Sequence, residues 1–428
     1  MIRTLALLVI TAVAFTYCFQ AGFVSLLTWV WLSIMMPQSE AWGSFLLSYS
    51  NMAAGILTVI AVFTAKDRKL PPFNNFTVLL FLFTALIILS QVFSLNRALS
   101  SRQFSIGTET LFITFAVLLL ANSKVKIHTM VWIIVLSVGY YGVTRGLITI
   151  ATGGGGIVTG PSKSVLSDNN QLAVGLASTA PLAFYLYRIS ADKWTRMFAL
   201  GIFVLSIIGA IGTHSRGGLI SLGVLALGLI ARSRKRVLNM IILVIVVGGT
   251  LLIMPAKWFD RMNTISTAEE DGSFMGRVAA WEVAYKLALE HPFLGIGARL
   301  QYKAQYNHHV QPDGVIAREI ATHNSYFEIM AGNGFVALGA FLGMMATTFI
   351  WAGKTMKLTQ NKPGFTWANE LASMLQVSLL VFGVGTFALS MEYWTGFWIN
   401  MVLIVNLREI VLRELKIVPV ASRQETYA

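Results

Sequence analysis

"NNFTVLLFLFTALIILSQVFSL", residues 74–95, runs for 22 residues without a charged side chain. A helix rises about 1.5 Å per residue, so about 20 apolar residues cross the roughly 30 Å hydrocarbon core of a bilayer. Similar runs recur at 43–65, 106–122, 127–149, 171–188, 195–213, 216–232, 236–254, 325–351, 367–390 and 397–412. The composition agrees: 56% of the 428 residues are hydrophobic and 12% are charged, about half the roughly 25% of a soluble domain. The chain reads as an all-α polytopic membrane protein.

Residues 3–36 are long for one helix and short for two. The start, "MIRTLALLVITAVAFTYCFQ", has a basic residue and an apolar centre, but no small-x-small cleavage site, so it reads as membrane helix rather than as a signal. Its Cys18 is the only cysteine, which excludes an internal disulfide and a cysteine-based metal site.

The net charge is +13, yet the cations sit in short inter-helix loops such as "AKDRK", "SKVK", "ARSRKR" and "GKTMK". That is the pattern of cytoplasmic loops, not of a nucleic-acid surface. With those loops inside, residues 37–42 fall outside, and Arg3 favours a single crossing in 3–36. About twelve spans follow, with both ends inside and thirteen as the alternative. Residues 150–170, the turn "THSRGG" and the long loop 255–324 then share the outer face. The long loop holds seven cations against eight anions, so the positive excess lies on the other side. The chain divides into membrane helices over 1–254 (about ten), the outer loop 255–324, a second helical block over 325–412 and an inner tail over 413–428.

Within the loop, Val278, Trp281, Tyr285 and Leu289 recur at helical spacing, with Ser273 as a cap and Pro292 as a stop. This amphipathic helix is expected to roof the bundle.

Four residues on the outer face stand out. His323 precedes "SYFE" (325–328), which reads as a capping box beginning a helix at Ser325. The positive end of the helix dipole favours a neutral imidazole there, able to accept a proton; the plainer alternative is a surface histidine tied into the cap. Arg216 lies in the turn "GTHSRGGLIS", either as an anion ligand or as an arginine reaching for lipid phosphate. Arg277 falls at the start of the roof helix, either holding an anion against the free amides or simply solvated. Arg145 lies inside an apolar run, as an anion ligand or as the partner of a carboxylate. Ser215 and Asn324 support their neighbours.

Other features carry less. "TGGGGIVTGPSKSVLSDNN" (152–170) lacks the Walker pattern and reads as a flexible lid, closed by Asp168 and Asn169 as caps. "EED" at 269–271 reads as solvated, His308–His309 lack a third ligand, and D-x-D pairs are absent. No metal or other cofactor is therefore expected. Glu392, among aromatics in "SMEYWTGFW", reads as interfacial belt or sugar-stacking surface.

One candidate base and three arginines on one face suit a pyrophosphate, which guanidinium grips bidentately and stabilises as it leaves. The ordered motifs "HSRGG", "SFMGRVAAWEVA…HPFLGIG" and "HNSYFEIMAGNG" resemble the bacterial O-antigen ligase superfamily over roughly residues 195–350, and the N-terminus is similar to its exosortase-associated branch. The resemblance implies a GT-C-like, metal-independent, inverting glycosyltransferase of the bacterial inner membrane. It would move a glycan from undecaprenyl pyrophosphate to lipid A-core at the periplasmic face. His323 would match the family's essential histidine, Arg216 the arginine of its outer turn and Arg277 that of its large loop. Polymerases and protein O-oligosaccharyltransferases of the same superfamily would share these residues. A transporter of lipid-linked glycans would need the arginines but no base, and the chain shows no internal repeat of the kind transporters often carry.

Overall fold

The run at 74–95 starts in a reciprocal capping box, in which the Asn74 side chain accepts from the Thr77 amide and the Asn74 amide donates to the Thr77 hydroxyl. A computed structural model of the chain describes residues 2–41, 45–66, 68–232, 236–263, 272–300 and 321–415. Among these, the regular elements are helices: α1 (Ile2–Cys18), α2 (Gly22–Met35), α3 (Pro37–Glu40), α4 (Phe45–Thr64), α5 (Asn75–Val92), α6 (Arg97–Leu120), α7 (Lys124–Ala151), α8 (Asn169–Ile189), α9 (Lys193–Gly212), α10 (Arg216–Arg232), α11 (Arg236–Leu252), α12 (Ala256–Asn263), α13 (Gly272–Glu290), α14 (Ser325–Thr359), α15 (Thr366–Gly385) and α16 (Thr395–Glu414). Eight of these helices are long and apolar enough to cross a membrane, so the all-α polytopic architecture holds. The "EED" run and His308–His309 lie outside the described residues.

The centre of the bundle is α8, α15 and α16, whose apolar stretches are 83%, 72% and 78% buried against 33% for α5. Phe382 stacks on Phe397 at 4.0 Å, beside Phe341 and Trp398. Polar groups at this depth have to find protein partners, because lipid offers none. Asn400 donates to Ser378, which donates to the Ser178 carbonyl, and Asn406 caps the carbonyls of Val117 and Ala121. Outward, Phe81, Ile88, Leu227, Val244 and Ile245 are exposed, as a lipid-facing belt requires.

Residues 3–36 depart from the single crossing. They form a hairpin, α1 and α2, and the Arg3 guanidinium meets the Glu40 carboxylate at 2.9 Å. The N-terminus therefore lies on the same face as residues 37–40, not on the opposite one. The reason is energetic: Glu40 is only 9% exposed and needs a cation, and Arg3 supplies it.

Helix α14 is broken at Gly334 (φ 89°, ψ 169°), and the segment after α13 fills the break. Ile296 and Gly297 donate backbone hydrogen bonds to Ala331 and Gly332, and Phe335 donates to Pro292. The approach is so close that a Cβ on Gly295 would lie 2.4 Å from the Asn333 nitrogen. "HPFLGIG" and "AGNG" are thus two halves of one backbone joint.

The roof helix exists, with two differences. It begins at Gly272, so Arg277 lies in its second turn, beyond the first-turn amides that an anion would need. Its buried seam is Ala280, Val283, Ala284, Leu287 and Ala288, while Tyr285 and Leu289 face outward. Small residues won the inner face because α13 lies close against α14.

Candidate active site

His323 is held between two fixed residues. The Thr322 carbonyl accepts from the Trp281 indole at 2.7 Å, and the Thr322 hydroxyl donates to Glu328 at 2.6 Å. On the other side Asn324 caps α14, its side chain accepting from the amides of Tyr326 (2.9 Å) and Phe327 (3.2 Å). The expected capping box is therefore not the one that forms. Asn324 takes the cap, which frees the Ser325 hydroxyl to donate to the Leu389 carbonyl and accept from the Met391 amide. Glu328 does not reach back to the helix start but accepts from Thr322 and from Ser390 (2.5 Å). These bonds staple the start of α14 to the α15–α16 connection. His323 adopts φ 45°, and no described residue hydrogen-bonds its exposed ring.

Surrounding protein desolvates the imidazole and holds its pKa below the ordinary histidine value. The positive charge of Arg277 acts in the same direction, Asp168 opposes it, and Arg299 adds to the lowering. Asp168 caps α8 through the Asn170 amide, as expected, whereas Asn169 is the first residue of the helix and does not cap it: its side chain donates to the Thr213 carbonyl.

Arg277 donates to the Ala388 carbonyl at 3.4 Å. Arg216 opens α10, where the Ser215 hydroxyl accepts from the Gly218 amide at 3.0 Å. The next residue, Gly217, borders Ala388: a Cβ there would lie 3.7 Å from that of Ala388. The Arg216 turn and the Arg277 guanidinium thus meet at one point of the α15–α16 connection. Arg145 is not brought to them. It donates to the Thr159 carbonyl at 2.8 Å, pairs with Glu40 at 3.8 Å and lies over the Tyr141 ring. This is the carboxylate-partner alternative, since Glu40 recruits it.

A cavity of about 620 Å³ opens beside this cluster. It is lined by Ser167, Gln171, Ala321 and Ser390 together with the charged Arg102, Lys163, Arg299, Glu109 and Glu392. Residues 150–170 are not a loose lid. Ser39 donates to the Ser162 carbonyl, Arg145 holds Thr159 and Leu166 is buried, so this segment forms a fixed wall.

Arg299 and Glu109 were not among the expected site residues, and Glu392 was read only as interfacial belt or sugar-stacking surface. Glu392 is 2% exposed, accepts from Gln103 at 2.7 Å and lies 3.7 Å from Arg299, while its buried Oε2 has no donor among the described residues. Of the six non-glycine residues with positive φ, Met36, Lys163 and Arg299 line the cavity, and His214 and His323 sit in the site's turn and helix start. Such strain gathers where function holds the backbone in place. Among the described residues no three His, Cys, Asp or Glu side chains gather closely enough to share a metal ion.

Residues 201–342 match the family model described as O-antigen ligase, a stretch that contains Arg216, Arg277 and His323. Residues 2–191 match a family of unknown function, DUF5935. No curated protein matches the chain. The matched stretch spans the Arg216 turn, the roof helix and the start of α14, so this third of the chain carries an O-antigen ligase domain of the O-antigen ligase/polymerase type.

Proposed function

We propose that this chain is an O-antigen ligase: a GT-C-like, metal-independent, inverting glycosyltransferase that moves a glycan from undecaprenyl pyrophosphate to lipid A-core. The observation that carries the reading is His323, an exposed imidazole that no described residue hydrogen-bonds, close enough to Arg277 to feel its charge. An acceptor hydroxyl gives its proton to the neutral imidazole as its oxygen attacks the anomeric carbon. The bond to pyrophosphate breaks, and undecaprenyl pyrophosphate leaves with the electron pair. Arg216 and Arg277 hold the departing anion, and a single displacement inverts the anomeric centre. Asp168 steadies the imidazolium that forms, since its charge favours the protonated ring.

The inner-membrane placement with this face periplasmic is supported by charge. Lys124, Lys126, Lys193, Arg196, Arg232 and Lys362 all belong to connections or helix ends at the opposite end of the bundle. The test is reconstitution of the purified chain with lipid-linked glycan and, in parallel, lipid A-core, a second lipid-linked glycan and an acceptor protein. Transfer to lipid A-core with release of undecaprenyl pyrophosphate supports the ligase. Transfer to another acceptor makes the chain a polymerase or a protein-directed enzyme instead. Consumption of no donor overturns the enzyme reading.

A further inference from the structure

The reaction above leaves the part of the cavity lined by α6 without a task. There α6 carries Glu109, the only charged residue between Arg102 and the end of that helix. A carboxylate within an apolar span is costly and is kept for a reason. Glu109 Oε1 accepts from the Ser33 hydroxyl at 2.9 Å and from the Asn51 amide at 2.8 Å, joining α2, α4 and α6. Ser33 also lies 3.0 Å from the Asn51 carbonyl oxygen. No Lys or Arg among the described residues forms an ion pair with Glu109, and its Oε2 accepts no hydrogen bond from them. All three residues line the cavity.

We propose that Glu109, with Asn51 and Ser33, seats a sugar ring of the glycan substrate in this cavity. The chemistry decides against the other parts of a lipid-linked glycan. An isoprenoid tail has no use for a wall carrying two carboxylates and three cations, and a pyrophosphate seated at Glu109 would meet a carboxylate that no described cation pairs with. Sugar hydroxyls both donate and accept, so they suit a carboxylate fixed by neutral donors on one side and the Gln103–Glu392–Arg299 group on the other. Tyr393 and Met391 supply apolar surface for a ring face. A volume of about 620 Å³ lies within the roughly 300–1,000 Å³ of ligand cavities and fits a short oligosaccharide. Ala321 and Ser390 also line the cavity, the first two residues from His323 and the second bonded to the Glu328 staple, so the same cavity extends from Glu109 to the neighbourhood of the proposed base. The donor's first sugar and the acceptor's terminal sugar share this chemistry. The proposal rests on the transfer reading, and the following experiment separates the two.

Full-length wild type, Glu109→Gln, Asn51→Ala and the cavity-filling Ile106→Trp are purified in detergent. Each is titrated with three probes: soluble core oligosaccharide, the soluble repeat-unit oligosaccharide of the donor, and undecaprenyl pyrophosphate without sugar. Wild type binds one of the two oligosaccharides, and which one identifies the sugar seated. Glu109→Gln weakens that binding about 10- to 100-fold, as loss of hydrogen bonds to a charged acceptor does. Asn51→Ala weakens it less, Ile106→Trp abolishes it, and undecaprenyl pyrophosphate binding is unchanged in all three, which also reports that they are folded. The proposal is overturned if wild type binds neither oligosaccharide, or if Glu109→Gln and Ile106→Trp bind as wild type does. If wild type binds an oligosaccharide but not undecaprenyl pyrophosphate, the transfer reading fails while the sugar seat stands.

Discussion

Two buried glutamates on the same face of the bundle have opposite surroundings. Glu40 is closed: Arg3, Arg145 and the Tyr140 hydroxyl surround its carboxylate. Glu392 is open: Gln103 and Arg299 attend one oxygen, the other has no donor among the described residues, and the residue borders a cavity. The contrast separates a charge kept for assembly from one kept for a ligand, because an unmade bond in a buried group costs about 1–3 kcal/mol and persists only when something else gains.

The largest effect is expected beside the open carboxylate. His323→Ala should lower glycan transfer by about two to four orders of magnitude while leaving binding of the lipid-linked donor intact; undiminished transfer in a single-turnover assay removes the base from the mechanism. Next, Arg216→Ala should weaken undecaprenyl pyrophosphate about 10- to 100-fold, the worth of a charge-assisted contact. Arg145→Ala should leave that affinity within about twofold and instead lower the thermal midpoint, at a cost of about 1–2 kcal/mol. Equal affinity losses for the two arginines would erase the distinction between the corners. The glutamates make the same comparison on a smaller scale. Glu392→Gln should slow transfer about tenfold in a folded protein, the equivalent of about 1.4 kcal/mol, whereas Glu40→Gln should show in melting and not in turnover.

The finest effect is in pH. His323 acts as the neutral ring and its pKa is held below the ordinary 6.5. Transfer should therefore be sustained down through pH 6.5 and fall only as the pH drops through the lowered value. Arg277→Ala removes one cause of the lowering, so the acid limb should move up; Asp168→Asn removes an opposing charge, so it should move down. A limb that stays in place in both variants belongs to another group.

The spans were legible because each apolar run is local and a bilayer fixes its length. The grouping of His323, Arg216 and Arg277 at one end of the bundle was legible because His323 and Arg216 stand at helix starts and Arg277 in the one long loop, all on the side opposite the basic loops. The cavity was not, because its walls come from distant segments: Gln103 and Glu392 are 289 residues apart. Glu109 did leave a local sign, a lone acid in an uncharged helix. The start of α14 misled for a physical reason. Asn324 and Ser325 both make good caps, and only the α15–α16 connection, which binds the Ser325 hydroxyl, decides between them.

The Arg3–Glu40 pair bears on how the protein is made. In the orientation proposed above, α1 would send its own cation across the bilayer, against the usual bias of membrane insertion. Arg3 finds its counter-ion only once Glu40 has followed, after α2 has emerged. In that orientation the first forty residues would enter the membrane together, as one hairpin delivered with its charges paired.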